Sequence, residues 1–328
     1  MGIRKSYRNL TTDERARFVR ALHAVKADGV VDDFARIHTQ HFSMGIHNSS
    51  HFLPWHREFV HRFEAALQKH DRGVWVPYWD SSAGSSPGDS LWDPQFLGQF
   101  DQEWNLHRTL GADVLPTPDQ VAADQQHDKY EDFWPDLEQN IHNPPHRWVG
   151  GVMAGAGSPG DPVFFLHHAW IDRLWAQWQI AHPNAPFVAS GDGVGLHDPM
   201  MEWPDRTPAD VLDHHVLGYS YDFDFWHHGV PSEGAVPVAP GTSPTSWYTT
   251  PENVQHIAYV GTDQKIHELF FFIGKEPFVW HHGVPSEGAV PVAPGTSPTS
   301  WYTTPENVQH IAYVGTDQKI HELFFFIS

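Results

Sequence analysis

The 328-residue chain contains no cysteine. Disulfides, thiolate metal sites and thiol nucleophiles are excluded together, so any metal must be held by imidazole or carboxylate. Positive charge is scarce as well: 20 Lys and Arg stand against 40 Asp and Glu, a formal net charge of -20. Such a chain is a poor partner for nucleic acid or an anionic membrane, and a better one for a neutral or cationic small substrate. Long apolar runs are missing, and the opening MGIRKSYRNLTTDERARF passes into a helix without the apolar stretch of a signal peptide. The expectation is a protein without an export signal of its own, cytoplasmic by default unless a partner carries it out. What the chain has in excess is histidine, 26 residues of it, together with length enough for a large core and two domains.

The histidines concentrate around HNPPHRWVGGVMAGAGSPGDPVFFLHHAWIDRLWAQW, beginning at His142. Asp161 before Pro162 reads as an N-cap and first helical residue, which predicts a helix from about Pro162 to Ile180 carrying His167 and His168. That helix is apolar on almost every side, as expected at a domain centre. A lone histidine in such a place is usually a core residue satisfied by one hydrogen bond. Here several must be explained at once, and a second group lies upstream.

Along the chain, Thr11-x-x-Glu14 is a capping box, and Phe18, Leu22 and Val25 continue an amphipathic helix to about Lys26, ended by Gly29. Asp32 and Asp33 then precede FARIHTQHF, a second helix on which periodicity alone does not choose between His38 and His41. After a loop with His47 comes FLPWHREFVHRFEAALQKH, where His56, Val60, Phe63 and Leu67 share the inward face and His61 falls on the solvent side. The stretch from Gly73 to Tyr130 is rich in loops. EDFWPDLEQNIH resumes helical spacing, with Glu138 one turn before His142; Pro144 and Pro145 predict that the helix stops before His146 and that a tight turn holds the two histidines.

Two groups of imidazole emerge: His38, His47 and His56, and His142, His146 and His167 or His168. No carboxylate is built into either. Three imidazoles per group suit copper or zinc, whereas paired iron or manganese in a helix bundle would use several glutamates. Six ligands in two equal sets point to two metals, and imidazole ligation points to copper.

These residues carry a resemblance. HNSSHFLPWHREFVHRFEAAL, IHNPPHRWVGGVMAG and SPGDPVFFLHHAWIDRLWAQWQ resemble the two copper signatures of the tyrosinase family, of the compact bacterial type. The similarity extends over about residues 1–222, from Arg4, which resembles the family's N-terminal arginine, to Tyr219-x-Tyr221, which resembles its boundary tyrosine motif. It implies a mainly α domain, a four-helix bundle holding a dinuclear copper site. His38, His47 and His56 would bind one of two copper ions and His142, His146 and His168 the other, which sets aside His41, His51 and His167. It implies an oxidase that uses dioxygen to hydroxylate monophenols at the ortho position and to oxidise o-diphenols to o-quinones. The catalytic pair would be Glu138 and Asn143, holding the water that takes the phenol's proton; the bland alternative for Glu138 is a helix-surface carboxylate. Arg147 and Ala156 match positions at the substrate entrance, and a separate protein delivers copper to some relatives. The chain departs from the family in Pro144 and Pro145, in a shorter spacing from Glu138 to His142, and in lacking the cysteine for a thioether bridge. A diphenol-only oxidase (catechol or o-aminophenol) and an oxygen binder of the hemocyanin kind would use the same six histidines.

The remainder, residues 223–328, is repetitive: residues 226–273 recur identically as 280–327. SWYTT, NVQHIAYV and KIHELFFF predict strands, with GTDQ turning a hairpin and PFVWHHG supplying a fourth strand after the first copy. The expectation is a small all-β tail of two propeller-like repeats, through which the chain forms a homo-oligomer. The repeats faintly resemble fucose-lectin blades, which would give Glu268 and Glu322 a sugar-binding role, although the arginine expected in the preceding strand is missing.

Overall fold

The computed structural model describes residues 2–224, 235–249, 254–272, 281–304 and 306–326. The chain divides into two compact units, Met1–Trp226 and His227–Ser328. No helix among the described residues is long and apolar enough to cross a membrane.

The first unit is helical. Helix α1 (Thr12–Ala27) starts on the expected capping box, Thr11 accepting from the Glu14 amide while the Glu14 side chain returns to the Thr11 amide. Gly29 takes a left-handed conformation (φ 79°) and launches α2 (Val30–His41), which therefore begins before Asp32 and Asp33 rather than after them. The two aspartates lie in its first turn, where they complement the helix dipole. Helix α3 (Phe52–His70) packs against α1 and against α8 (Val163–Ala181). The Asp161 carboxylate accepts from the Val163 amide at 2.9 Å and is itself gripped by Arg108 at 2.7 and 2.8 Å, so the predicted cap also anchors the preceding loop. Between α3 and α8 lie the short helices α4 (Phe100–Glu103), α5 (Pro118–Asp124) and α6 (Tyr130–Asp136), then a π-helical segment (Leu137–His142) and α7 (Asn143–Val149).

Two expectations fail in this unit. The chain does not leave helical geometry at Pro144 and Pro145. The π segment closes wider i→i+5 bonds and ends at His142, and the prolines sit in the first turn of α7, where no backbone donor is required. His61 is half-buried rather than a solvated surface residue, and burial together with Arg4 and Arg206 depresses its pKa to about 4.

A two-stranded parallel sheet closes the unit, β1 (Gly2–Arg4) beside β2 (Tyr219–Tyr221), with Arg4 opposite Tyr221. This register drops Arg4 into a fully buried network. It pairs with Glu64 and, at 3.1 Å, with Asp172, which also accepts from Tyr219 and Tyr221 at 2.6 Å each and pairs with Arg57.

The second unit consists of antiparallel sheets. Strands β3 (Thr245–Thr249), β4 (Val254–Val260), β5 (Ile266–Phe272) and β6 (His281–Gly283) form one in sequence order; β7 (Thr299–Thr303), β8 (Val308–Val314) and β9 (Ile320–Phe326) form the other. The fourth strand expected after the first copy is β6, which pairs with β5. The equivalent Trp226–Gly229 segment lies outside the described residues. A small core of Trp247, Ala258, Val260, Ile266, Val292, Ile311 and Tyr313 draws on both copies.

Candidate metal centre

Six imidazoles meet inside the first unit. His38 comes from α2, His47 from the loop after it and His56 from α3; His142 ends the π segment, His146 lies on α7 and His168 on α8. Within each group the ligand atoms lie within 4.8 Å of one another, and the second group also takes in His167. The groups adjoin: the His56 and His168 rings stack at 4.4 Å, and the His47 and His142 rings lie 6.0 Å apart.

Hydrogen bonds fix the tautomers. His38 Nδ1 donates to the Ala156 carbonyl at 2.7 Å, His56 Nδ1 to Phe52 at 2.8 Å, His146 Nδ1 to Met153 at 2.8 Å, and His142 Nδ1 to Asn143 Oδ1 at 3.0 Å. Each Nε2 of these four is therefore left with a lone pair. Yet His38 and His56 bring their Nε2 atoms to 3.5 Å and His142 and His146 to 3.0 Å; His168, whose Nδ1 has no hydrogen-bond partner, brings its Nε2 to 3.3 Å from that of His142. Lone pairs converging at such distances repel one another unless a cation lies among them, and metal–nitrogen bonds of about 2.0–2.1 Å at tetrahedral angles place ligand atoms this far apart. The donor set fits a pair of borderline metal ions. Burial, reinforced by the neighbouring imidazoles, favours the neutral, ligating form: it holds His38 at about 3 and His47 at about 4, with His56, His142 and His168 well below their ordinary value, and burial takes His146 to about 4.

One loop orients both groups, because Met153 and Ala156 supply carbonyls to a histidine of each. Its course depends on Gly150 and Gly151, both at positive φ (71° and 53°); a Cβ at Gly151 would come within 2.1 Å of the Leu106 carbonyl oxygen.

His167 is turned differently. Its Nε2 donates to the His142 carbonyl at 3.0 Å, which ties α8 to the end of the π segment. His41 pairs with Glu202 at 2.9 Å, and His51 is fully buried.

Glu138 is buried rather than on a helix surface, and both its oxygens accept from the Asn48 amide, at 2.9 and 3.0 Å. Asn48 adopts a left-handed conformation (φ 54°) that asparagine tolerates. Burial raises the Glu138 carboxyl to about 7 although the Asn48 bond pulls it down. Nothing in the sequence marks Asn48 for this part. Asn143 is half-buried, its Oδ1 on His142 and its Nδ2 donating to Gln139 at 3.2 Å. Arg147 is exposed and pairs with Asp113; Ala156 is half-buried.

In the second unit, a cleft of about 540 Å³ is lined by His256, Glu268 and Phe270 of one copy and Gln309, Ile311 and Leu323 of the other. The two glutamates singled out for sugar contacts are each engaged by a histidine of the neighbouring strand: His256 reaches Glu268, and His310 reaches Glu322, both at 2.8 Å.

Comparison with known proteins agrees with the histidine centre. The family model for the common central domain of tyrosinase matches residues 28–111 and 101–181. The tyrosinase of Streptomyces antibioticus is 40% identical over 274 residues, covering 68% of this chain and 100% of that protein. The tyrosinase of Streptomyces glaucescens is 37% identical over 278 residues with the same coverage. Among solved structures, a functional unit of Octopus hemocyanin superposes with a TM-score of 0.53 at 24% identity over 68% of each chain, a likeness of fold. The chain belongs to the tyrosinase family, a family of type 3 copper oxidases, and its cofactor is a pair of copper ions.

Proposed function

We propose that the chain uses dioxygen both to hydroxylate monophenols at the ortho position and to oxidise o-diphenols to o-quinones. His38, His47 and His56 would hold one copper, and His142, His146 and His168 the other. Copper bound there supplies the redox chemistry that activates dioxygen. The protein's own part is proton handling and positioning. A monophenol must lose its proton to react, and a base works best when its pKa lies near the operating pH. Glu138, buried on the segment that carries His142 and raised to about 7, is suited to take that proton at its carboxylate, directly or through a water. This is the observation that carries the reading. Asn143 holds His142 in the tautomer whose Nε2 faces the centre. Arg147, exposed beside Asp113, and the small Ala156 would border the way in for substrate.

Architecturally, the reading is a four-helix bundle around the imidazoles, followed by two blade-like β repeats. Because most of the ligands are buried, delivery of copper by a separate protein belongs to the same proposal.

Oxygen uptake and quinone formation by the copper-loaded protein, with a monophenol and with catechol, test it. Quinone from both is the expected result. Turnover of the diphenol alone would leave a catechol or o-aminophenol oxidase, and reversible oxygen binding without turnover would leave a carrier.

A further inference from the structure

A second cluster of ligating groups lies outside the histidine centre. Asp124 ends α5, His127 lies in the link that follows, and Asp136 ends α6. Each offers a ligand atom, and the three atoms lie within 4.8 Å of one another. Asp124 is only 1% exposed, and its Oδ1 has no hydrogen-bond partner; its Oδ2 has only a long contact, 3.5 Å, with the Gln125 amide. No Lys or Arg pairs with it among the described residues. A carboxylate buried this way is costly unless a proton or a cation joins it.

The two other groups of the cluster adjoin it. His127 Nε2 meets Asp136 Oδ2 at 3.0 Å, and the other Asp136 oxygen accepts from Asn140. The link is pinned to α8, the Trp178 indole donating to the His127 carbonyl at 2.7 Å and His182 to the Gln125 carbonyl at 3.1 Å. The His127 and Asp136 side chains are 35% and 32% exposed, so an ion reaches them from solvent while Asp124 forms the floor.

We propose that Asp124, His127 and Asp136 bind a divalent cation of the zinc class, separately from the two coppers. Two carboxylates and one imidazole suit Zn²⁺ or Mn²⁺, with water completing the shell; calcium requires more oxygen ligands, and Cu(I) softer ones. Burial and the nearby Asp136 push the Asp124 carboxyl up to about 8, which makes a proton the natural competitor for the ion's place. Bound, the cation clamps the α5–α6 joint, immediately before the π segment that carries Glu138 and His142.

The test uses the copper-loaded full chain, equilibrated with excess Zn²⁺ and freed of unbound metal, with zinc and copper counted in the same sample. The expected result is one zinc per chain with both coppers retained, and a melting temperature raised by zinc. Asp124→Asn is isosteric with the protonated carboxyl and adds no charge, so it should fold, keep its copper, and neither bind that zinc nor gain stability from it. His127→Gln should behave the same way. Absence of zinc from the wild-type chain, equal zinc in wild type and variants, or zinc gained only as copper is lost would each overturn the proposal.

Discussion

The imidazoles of His142 and His168 meet Nε2 to Nε2 at 3.3 Å, whereas His167 donates to the His142 carbonyl. Adjacent residues on one helix thus make different contacts with the same histidine. His168→Ala should lose about half of the bound copper and all turnover. His167→Ala should keep both coppers and cost about 2–4 kcal/mol of stability, from the cavity and the unpaired carbonyl. Copper analysis together with thermal melting reads both, and a copper loss confined to His167→Ala would reverse the assignment.

Glu138→Gln should lower monophenol hydroxylation by at least about tenfold more than diphenol oxidation, because only the monophenol depends strongly on a base. The pH dependence is a separate check. The carboxylate form, raised to about 7, grows as pH increases through that value, and the positive charge of bound copper shifts the inflection downward. Monophenol turnover relative to diphenol should therefore climb with pH up to about 7 in the wild type and stay flat in the variant.

At Asp172, burial pushes the carboxyl up, but Arg57, Arg4 and the two tyrosine hydroxyls outweigh it and hold it at about 2. A folded-state value below that of the unfolded chain means that this stabilisation is complete at neutral pH and is lost as pH falls from about 4 towards 2. Asp172→Asn should destabilise the fold by about 3–5 kcal/mol, since buried Arg57 loses its counter-charge and Arg4 keeps only Glu64. Urea unfolding at neutral and acidic pH should show the difference between wild type and variant shrinking in acid.

In the tail, β5 is covered by β6, but its counterpart β9 is the last strand of its sheet among the described residues. Phe324, Phe325 and Phe326 on β9 are 61–64% exposed. An apolar edge of this kind invites strand addition, which favours association between chains. Phe325→Lys should reduce concentration-dependent light scattering without changing copper content.

Residues 1–226 form a compact unit by themselves. Expressed alone, that fragment should fold, bind two coppers and oxidise catechol; failure to fold would show that the tail is needed for more than assembly.

Much of the helical unit was legible because local chemistry and tertiary packing agree there. The Thr11 capping box and the stripe on α3 recur in the structure, and α8 starts one residue later than the sequence predicts, at Val163 with Pro162 as its N-cap and the Asp161 carboxylate on the Val163 amide. Periodicity left His38 against His41 and His167 against His168 open; the resemblance to a known family chose between them. What stayed hidden depends on distant segments. His61 is half-buried by packing that the periodicity of its own helix does not reveal, Glu138 depends on the Asn48 amide, and Asp124 meets Asp136 only because the two short helices are hinged together. The prolines misled because their usual meaning, an end of helix, is also compatible with a fresh helical start.

The wide turn at Leu137–His142 gives that start a further meaning. A π segment accommodates one more residue per turn than the α-helices on either side. Deleting a residue between Glu138 and His142 would rotate the upstream side by about 100° relative to the histidines, while Pro144 and Pro145, which have no N–H to give to a preceding turn, would still have to open α7. The phase between Glu138 and the histidines that follow it is stored as a count of residues, and so it is open to change by insertion or deletion as well as by substitution.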